Sequence, residues 1–342
     1  MALSLSILDQ STVVSGRDPA DAIRETLELA RLADQLGYAR YWLAEHHSSA
    51  SHAGTAPEVL MAAIAATTRR IRLGSAGVML PHYAALKVAE QFRVLEAIAP
   101  GRIDLGVGRA PGSDGRTAFA LNPAAYQQTG DEFPRQVQDL IGWLGEGLPV
   151  DHPFQSVEAQ PAGPTAPQVW MLGSSDYGAR LAAVLGLPYC FAAFITDGRG
   201  TAGALALYRQ HFRVLPGRLA APQAAIAVFA LCADTEAEAH RLYRSREIWK
   251  LSRDRGIYAP LPSVAEAEAY PLSDAERTRL DQARPRAMVG TPEQLRDRLL
   301  ALAGEVGAQE IALLCPMHDA AARRRSITLL AEAFGLAHAP VS

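Results

Sequence analysis

Four short stretches put chemically competent side chains beside residues that would hold them still. In GRIDLGVGRAPG, residues 101–112, an apolar run over residues 103–107 ends at Gly108 and one arginine, Arg109. An apolar run bounded by glycine and proline is a strand signal, and a glycine lets the backbone come close to something. Arg109 is a fixed cation with a planar fork of donors, suited to a phosphate or a carboxylate. LAEHH, residues 43–47, ends another apolar run in Glu45, His46 and His47. A histidine there can hydrogen-bond a ligand or handle a proton. A metal is the alternative, with His52 close by, but neighbouring strand residues point to opposite faces, so His46 and His47 would not easily share one ion. In GSAGVMLP, residues 74–81, Ser75, Ala76 and Gly77 lie inside a third apolar run. Such small residues either admit a flat ligand to the backbone or pack a tapering barrel interior. GSSDYG, residues 173–178, joins an apolar run to a helical pattern. Free N–H groups and the Ser174 and Ser175 hydroxyls there can hold an anion, or Ser175 or Asp176 simply caps the helix.

These stretches need a frame that brings them together. Strand patterns fall at residues 3–8, 40–44, 71–80, 103–107, 168–172, 187–193, 224–231 and 310–314. Helical patterns lie between and after them. Pro19 opens the first and Gly37 stops it; others span residues 55–68, 84–98, 133–148, 176–186, 203–214, 235–251 and 320–334. Thr291 to Gln294 reads as a capping box with proline just inside. Strands alternating with helices describe βα units and a parallel sheet. Eight of them predict a single-domain TIM (β/α)8 barrel over residues 1–342, with insertions after strands 4 and 7 and around residues 149–167. Residues 112–128 read as an ordered loop over the strand ends and 149–167 as a proline-rich excursion or small hairpin. Residues 253–286 read as a lid or an insertion. In a closed barrel Arg109 and Ser174–Ser175 share one rim, which points to a phosphorylated cofactor.

Composition narrows the classes. The chain has 342 residues, 49% hydrophobic and 20% charged, with a formal net charge of −3. This is globular composition with ample core material, and near-neutral charge argues against nucleic acid or an acidic membrane surface as partner. Cys190, Cys232 and Cys315 are far apart and form no CxxC pair, which argues against disulfides, zinc ribbons and thioredoxin chemistry. No stretch approaches 18 apolar residues, and the start of the chain does not read as a signal peptide, so a cytoplasmic enzyme is expected. Gly106-x-Gly108-x-x-Pro111 has proline where a dinucleotide fingerprint has its third glycine, and it follows the fourth strand instead of the first.

Taken in order, LAEHH (43–47), GSAGVMLP (74–81), AEQ (89–91), GRIDLGVGR (101–109) and VGTPE (289–293) resemble the bacterial luciferase-like family of flavin-dependent monooxygenases, a TIM-barrel group. The resemblance covers residues 3–335 and is stronger to the short single-component members than to luciferase subunits. It implies FMN at the C-terminal rim, with Arg109 on the phosphate and Gly173, Ser174, Ser175 and Gly178 in the phosphate-binding turn. Relatives carry an acidic residue and threonine in that turn, and this chain departs from them. Ala76 and Gly77 match the pair that often forms a non-proline cis peptide beneath the flavin ring. His46 matches the histidine beside the flavin. Where the family often has His-Pro, this chain has Ala84 and Ala85. Reduced flavin and O2 would oxygenate a small organic substrate, the flavin being reduced by a separate reductase, in a protein expected to be a homodimer. An F420-dependent oxidoreductase, a non-catalytic flavin-binding protein and a metal-dependent barrel hydrolase are the alternatives. Residues 112–128 and 253–286 would cover the site, and Tyr83, Phe119, Tyr126, Phe191 and Phe194 would either line an apolar pocket or belong to the core.

Overall fold

Short apolar segments alternate with amphipathic ones along the chain, and folding turns each pair into a strand and a helix. The computed structural model describes residues 3–109, 114–124 and 131–336. The first half runs β1 (Ser4–Asp9), α1 (Pro19–Leu36), β2 (Arg40–Leu43), α2 (Pro57–Ala65), β3 (Arg72–Ser75), β4 (Val78–Met79), α3 (Ala85–Ile98) and β5 (Ile103–Gly108). Then come α4 (Gly115–Leu121), α5 (Phe133–Ile141), β6 (Gln168–Gly173), α6 (Asp176–Val184), β7 (Tyr189–Ala192), α7 (Ala193–Thr196), α8 (Thr201–His211) and β8 (Ala224–Cys232). The last part holds α9 (Glu236–Asp254), α10 (Val264–Glu268), α11 (Asp274–Ala283), β9 (Met288–Gly290), α12 (Pro292–Val306), β10 (Glu310–Leu314) and α13 (Ala320–Ala333).

Local chemistry fixes the helix ends. Asp18 accepts from the Ala20 N–H ahead of α1, and Gly37 closes that helix in the left-handed region at φ 84°. Thr291 and Gln294 form the expected capping box of α12. Strands β1, β2, β3 with β4, β5, β6, β7, β8 and β10 pair in parallel, and β10 pairs with both β8 and β1. This is a closed eight-stranded TIM barrel ringed by helices, and closure leaves its strands no free edge.

The barrel interior is layered. At the strand starts Arg40, Arg72, Asp104 and Glu310 form a charged network. Above it lie Trp42 and Trp170, edge to face at 5.0 Å, with Leu8, Cys190, Ala225, Ala227, Ala312 and Leu314. The small alanines leave room for the two indoles in a barrel whose interior is filled by side chains.

The structure departs from the sequence expectations in several places. The third strand is two pieces, β3 and β4, separated by Ala76–Gly77. Residues 112–128 contain α4, and residues 149–167 form turns without a strand, so the excursion is present and the hairpin is not. The helix expected over residues 133–148 is α5 followed by a π-helical turn over Gly142–Glu146, where Gly145 adopts φ 143°. A short strand, β9, extends the sheet beside the end of β8. Finally, α9 is not the outer-ring helix of the seventh strand. It packs on α10, β9 and β8, while α12 packs between α8 and α13 in the ring. The insertion after the seventh strand therefore begins at α9, and residues 253–286 within it hold α10 and α11. Among the described residues no helix is long and apolar enough to cross a membrane.

Candidate functional site

All eight strands end at one rim, and the backbone there is unusual. The three non-glycine residues with left-handed φ, Ser11 (47°), Ser48 (50°) and Asp197 (51°), follow the ends of β1, β2 and β7 among the described residues. Residues held in such conformations cluster at binding and catalytic sites.

Three glycines at the floor of the rim have no room for a side chain. The Ser75 hydroxyl donates to the Gly106 carbonyl at 2.8 Å. A Cβ on Gly106 would lie 2.1 Å from the Ser75 oxygen, one on Gly77 2.7 Å from the Gly106 oxygen, and one on Gly74 2.6 Å from the Trp42 ring. The Ala76–Gly77 peptide is cis. Ala76, Leu172 and Phe194 cover the internal cluster below, giving an apolar surface at the barrel mouth. A Cβ at Gly108 would meet nothing within 4 Å, so the close approach within the protein belongs to Gly106.

The anion-suited residues meet at one corner. β5 and β6 are paired neighbours, Val107 beside Met171, so Arg109 and the turn after β6 are brought together by adjacency without need of barrel closure. Ser175 sits at the N-cap of α6, but its side chain makes no capping bond, which leaves the first-turn N–H groups uncapped by it. Gly173 and Gly178 pack against each other and against Tyr189, so the turn is tight. The Arg109 guanidinium lies 3.9 Å over the Tyr177 ring and 3.4 Å from Asp131. Tyr177 donates to Asp131 at 2.5 Å, and burial together with that carboxylate pushes its phenol up to about 12. Arg109 is half-exposed, so donors of its fork remain available. Asp176, in the first turn, works against an anion there.

The histidines diverge, as strand alternation requires. His47 turns into a closed network: its Nε2 lies 2.7 Å from Glu45, which also accepts from Tyr83 at 2.6 Å and from the Met79 N–H at 3.1 Å. His46 instead stacks on His52, centroids 4.3 Å apart and 15° from parallel. His46 Nδ1, His52 Nε2 and Thr12 Oγ1 are buried without a hydrogen-bond partner. Thr12 and His52 are bridge partners in the backbone and His52 stacks on His46, so the three residues are neighbours. Burial, then the Arg253 charge, lowers His46 to about 4. Burial, then His46 and Arg253, lowers His52 to about 2. Both rings are neutral at pH 7, and each buried polar atom without a partner is a place a ligand or water can satisfy. Among the described residues no group of three His, Cys, Asp or Glu side chains is arranged to hold a metal ion.

Two segments reach over this rim. Asn122, just after α4, donates to the Pro81 carbonyl at 3.1 Å. Leu261 packs with Val14 and Trp249 and exchanges backbone bonds of 2.9 Å with Val13 and Ser15. Of the aromatic residues expected near a pocket, Phe194 faces the floor, Tyr83 binds Glu45, Phe191 is in the core and Phe119 is half-exposed. Tyr126 lies outside the described residues. A cleft of about 820 Å³ opens at the other end of the barrel, near Arg93, Pro188 and Arg218, and carries none of the rim residues.

Sequence reasoning missed Thr12 and weighed His52 only as a metal ligand. It also passed over α9, whose Trp249 meets His52 edge-on at 5.7 Å. The spacing of Arg246, Trp249 and Arg253 puts two cations and an indole on one helix face, and that signal was available.

The chain is similar to known proteins over nearly its whole length. The family model described as luciferase-like monooxygenase matches residues 1–310. The uncharacterized protein YwcH of Bacillus subtilis (strain 168) is 46% identical over 97% of this chain and 99% of its own. N-acetyl-S-alkylcysteine monooxygenase of the same organism is 38% identical over 97% of this chain and 98% of its own. The crystal structure of apo-MsnO8 superposes with a TM-score of 0.88 at 39% identity, covering 99% of both chains.

Proposed function

This chain belongs to the luciferase-like monooxygenase family, and we propose that it binds FMN at the C-terminal rim of its barrel and uses reduced flavin and O2 to oxygenate a small organic substrate. The observation that carries this reading is the grouping, on one rim, of three complementary parts. They are the anion corner of Arg109 with the uncapped start of α6, the glycine floor at Ala76–Gly77, and the neutral histidine pair with its orphaned nitrogens. These residues fit a flat ring with a phosphate tail, which needs an apolar bed, an anion clamp some distance away and polar groups at one edge.

FMN, when bound, supplies the electron transfer to O2. The chain supplies everything else. Arg109, the Ser174 and Ser175 hydroxyls and the first N–H groups of α6 hold the phosphate. Gly173 and Gly178 keep the turn small enough for the phosphate to reach that backbone. Ala76 and Gly77 support the ring. His46, neutral at pH 7, acts through its Nδ1 as a hydrogen-bond partner beside the reacting centre and not as an imidazolium acid. The segment bearing Trp249 and Leu261 excludes water from the rim.

The flavin is delivered reduced by a separate reductase, because the sequence carries no nicotinamide fingerprint. Assembly is as a homodimer, for which exposed Val59, Val94 and Ile98 on α2 and α3 offer an apolar face. N-acetyl-S-alkylcysteine, named for one relative, is a reasonable first substrate, combining an oxidisable sulfur with a carboxylate.

Absorbance titration with FMN and with F420 tests the cofactor, and NADH-linked oxygen uptake with an added flavin reductase tests the reaction. FMN binding with substrate-dependent oxygen uptake is expected. Binding of F420 in place of FMN would contradict the reading.

A further inference from the structure

One face of α9 is left over once the flavin site and the rim histidines are accounted for. Arg246, Trp249 and Arg253 recur three and four residues apart and so share that face. It lies against the rim: the Arg246 guanidinium stands 4.0 Å over the Phe229 ring of β8, and Trp249 meets His52. Arg253 lies 4.8 Å from the Trp249 ring and 5.9 Å from that of Tyr258. Both arginines are half-buried, and Arg246 Nε is buried without a hydrogen-bond partner.

Their charges are unmatched. Arg241 and Arg244 of the same helix pair with Glu238 and Glu247 at 2.7 and 3.0 Å. Among the described residues no carboxylate lies within ion-pair distance of Arg246 or Arg253. The acidic groups that face them, Asp197 and Asp254, are already held by Lys250 and Arg279. Burial holds both guanidiniums below the ordinary arginine range, and Arg253 opposes the charge on Arg246. Two partly desolvated cations on a face that meets neutral histidines, with no carboxylate to balance them, call for an anion. Phe194, Phe229 and Trp249 would bed an apolar body beside it.

We propose that Arg246 and Arg253 recognise the oxyanion head of the substrate, so that the molecule oxygenated at this rim is an organic carboxylate or sulfonate. This rests on the flavin monooxygenase reading of the same rim, and the test separates the two. Hexanoate, hexane-1-sulfonate and neutral hexanamide are titrated by calorimetry into the protein with and without FMN, while FMN affinity is measured by absorbance. In the wild type at least one of the two anions is expected to bind about ten-fold or more tightly than hexanamide. Arg246→Gln and Arg253→Gln should each lower that anion's affinity about ten-fold or more, the usual size of a lost charged hydrogen bond. FMN and hexanamide affinities should not change. Arg246→Lys and Arg253→Lys keep the charge and should retain part of the preference, which separates recognition from misfolding. Absence of any preference for the anions, or loss of FMN affinity in the Gln variants, would overturn the assignment. A wild type that prefers the anion but does not bind FMN would sink the flavin reading alone.

Discussion

The two ends of the barrel use the same residue types to opposite purpose. At the strand starts two arginines are answered by carboxylates: Arg40 bonds Glu310 at 3.0 Å and Asp104 at 2.7 Å, and Arg72 bonds Asp104 at 2.5 Å. The Trp42 indole and the Ser6 hydroxyl donate to Asp104 and Glu310, completing the network. At the strand ends the balance fails. Arg109 has one carboxylate at 3.4 Å and an aromatic face, Arg246 and Arg253 have aromatic faces only, and three polar atoms around His46 have nothing. Two rim carboxylates do follow the lower pattern: Glu45 is bonded by His47, Tyr83 and the Met79 N–H, and although burial raises Asp9, the neighbouring Arg323 charge and Tyr41 hydroxyl outweigh it and hold the carboxyl below its usual range. A charge network satisfied within the chain is bound up with the fold, whereas a cluster left unsatisfied is set for a ligand.

This contrast can be broken most forcefully at the lower end. Asp104→Ala takes one carboxylate from buried Arg40, which keeps Glu310, and, among the described residues, the only carboxylate that part-buried Arg72 bonds. It should lower stability by about 3 kcal/mol in urea denaturation. A loss below about 1 kcal/mol would mean that water already serves the network. Next in size is Gly106→Ala, where the new methyl meets the Ser75 oxygen. Overpacking of this kind costs about 1–3 kcal/mol, and FMN binding should fall with it as the floor buckles. Gly108→Ala, two residues on with open space around it, should change stability by less than about 0.5 kcal/mol. Equal behaviour of the two variants would refute the description of the floor.

The histidine pair gives a smaller, pH-dependent effect. His46 and His52 have folded pKa values of about 4 and about 2, below the ordinary 6.5. Their neutral forms therefore favour the folded state above pH 6.5, and that stability is lost as pH falls and the unfolded chain alone takes up protons. Between pH 6 and 5 each should cost about 1 kcal/mol, so the His46→Gln, His52→Gln double variant should show a flatter stability profile than the wild type. Identical profiles would mean that the rings are not buried neutral. Smallest is Asp131→Ala, which frees Arg109 from a half-exposed partner worth at most about 1 kcal/mol. FMN affinity should rise a few-fold, and a fall would show that Asp131 orients the arginine instead of competing for it.

The same division explains what could be read from the chain alone. The eight strands were legible because each is a short apolar run with a glycine, proline or capping residue nearby, and the α12 capping box fell where expected. The break between β3 and β4 was not, since GSAGVML is apolar throughout and nothing in composition marks where pairing stops. Nor was the setting of α9: an amphipathic helix looks alike in the outer ring and across the rim, and only tertiary packing separates the two. Arg109, Ser174 and His46 stood out because chemistry-bearing residues at strand ends are conspicuous. Arg40, Arg72, Asp104 and Glu310 sit at strand starts, where charged residues read as solvated flanks, and their union needs the closed ring.

The central claim is that the upper rim keeps its charges for a ligand, and Arg109 tests it most directly. FMN titration of Arg109→Ala, set beside its urea denaturation curve, should show affinity reduced about ten-fold or more with the midpoint unchanged. Wild-type FMN affinity in that variant would contradict the account.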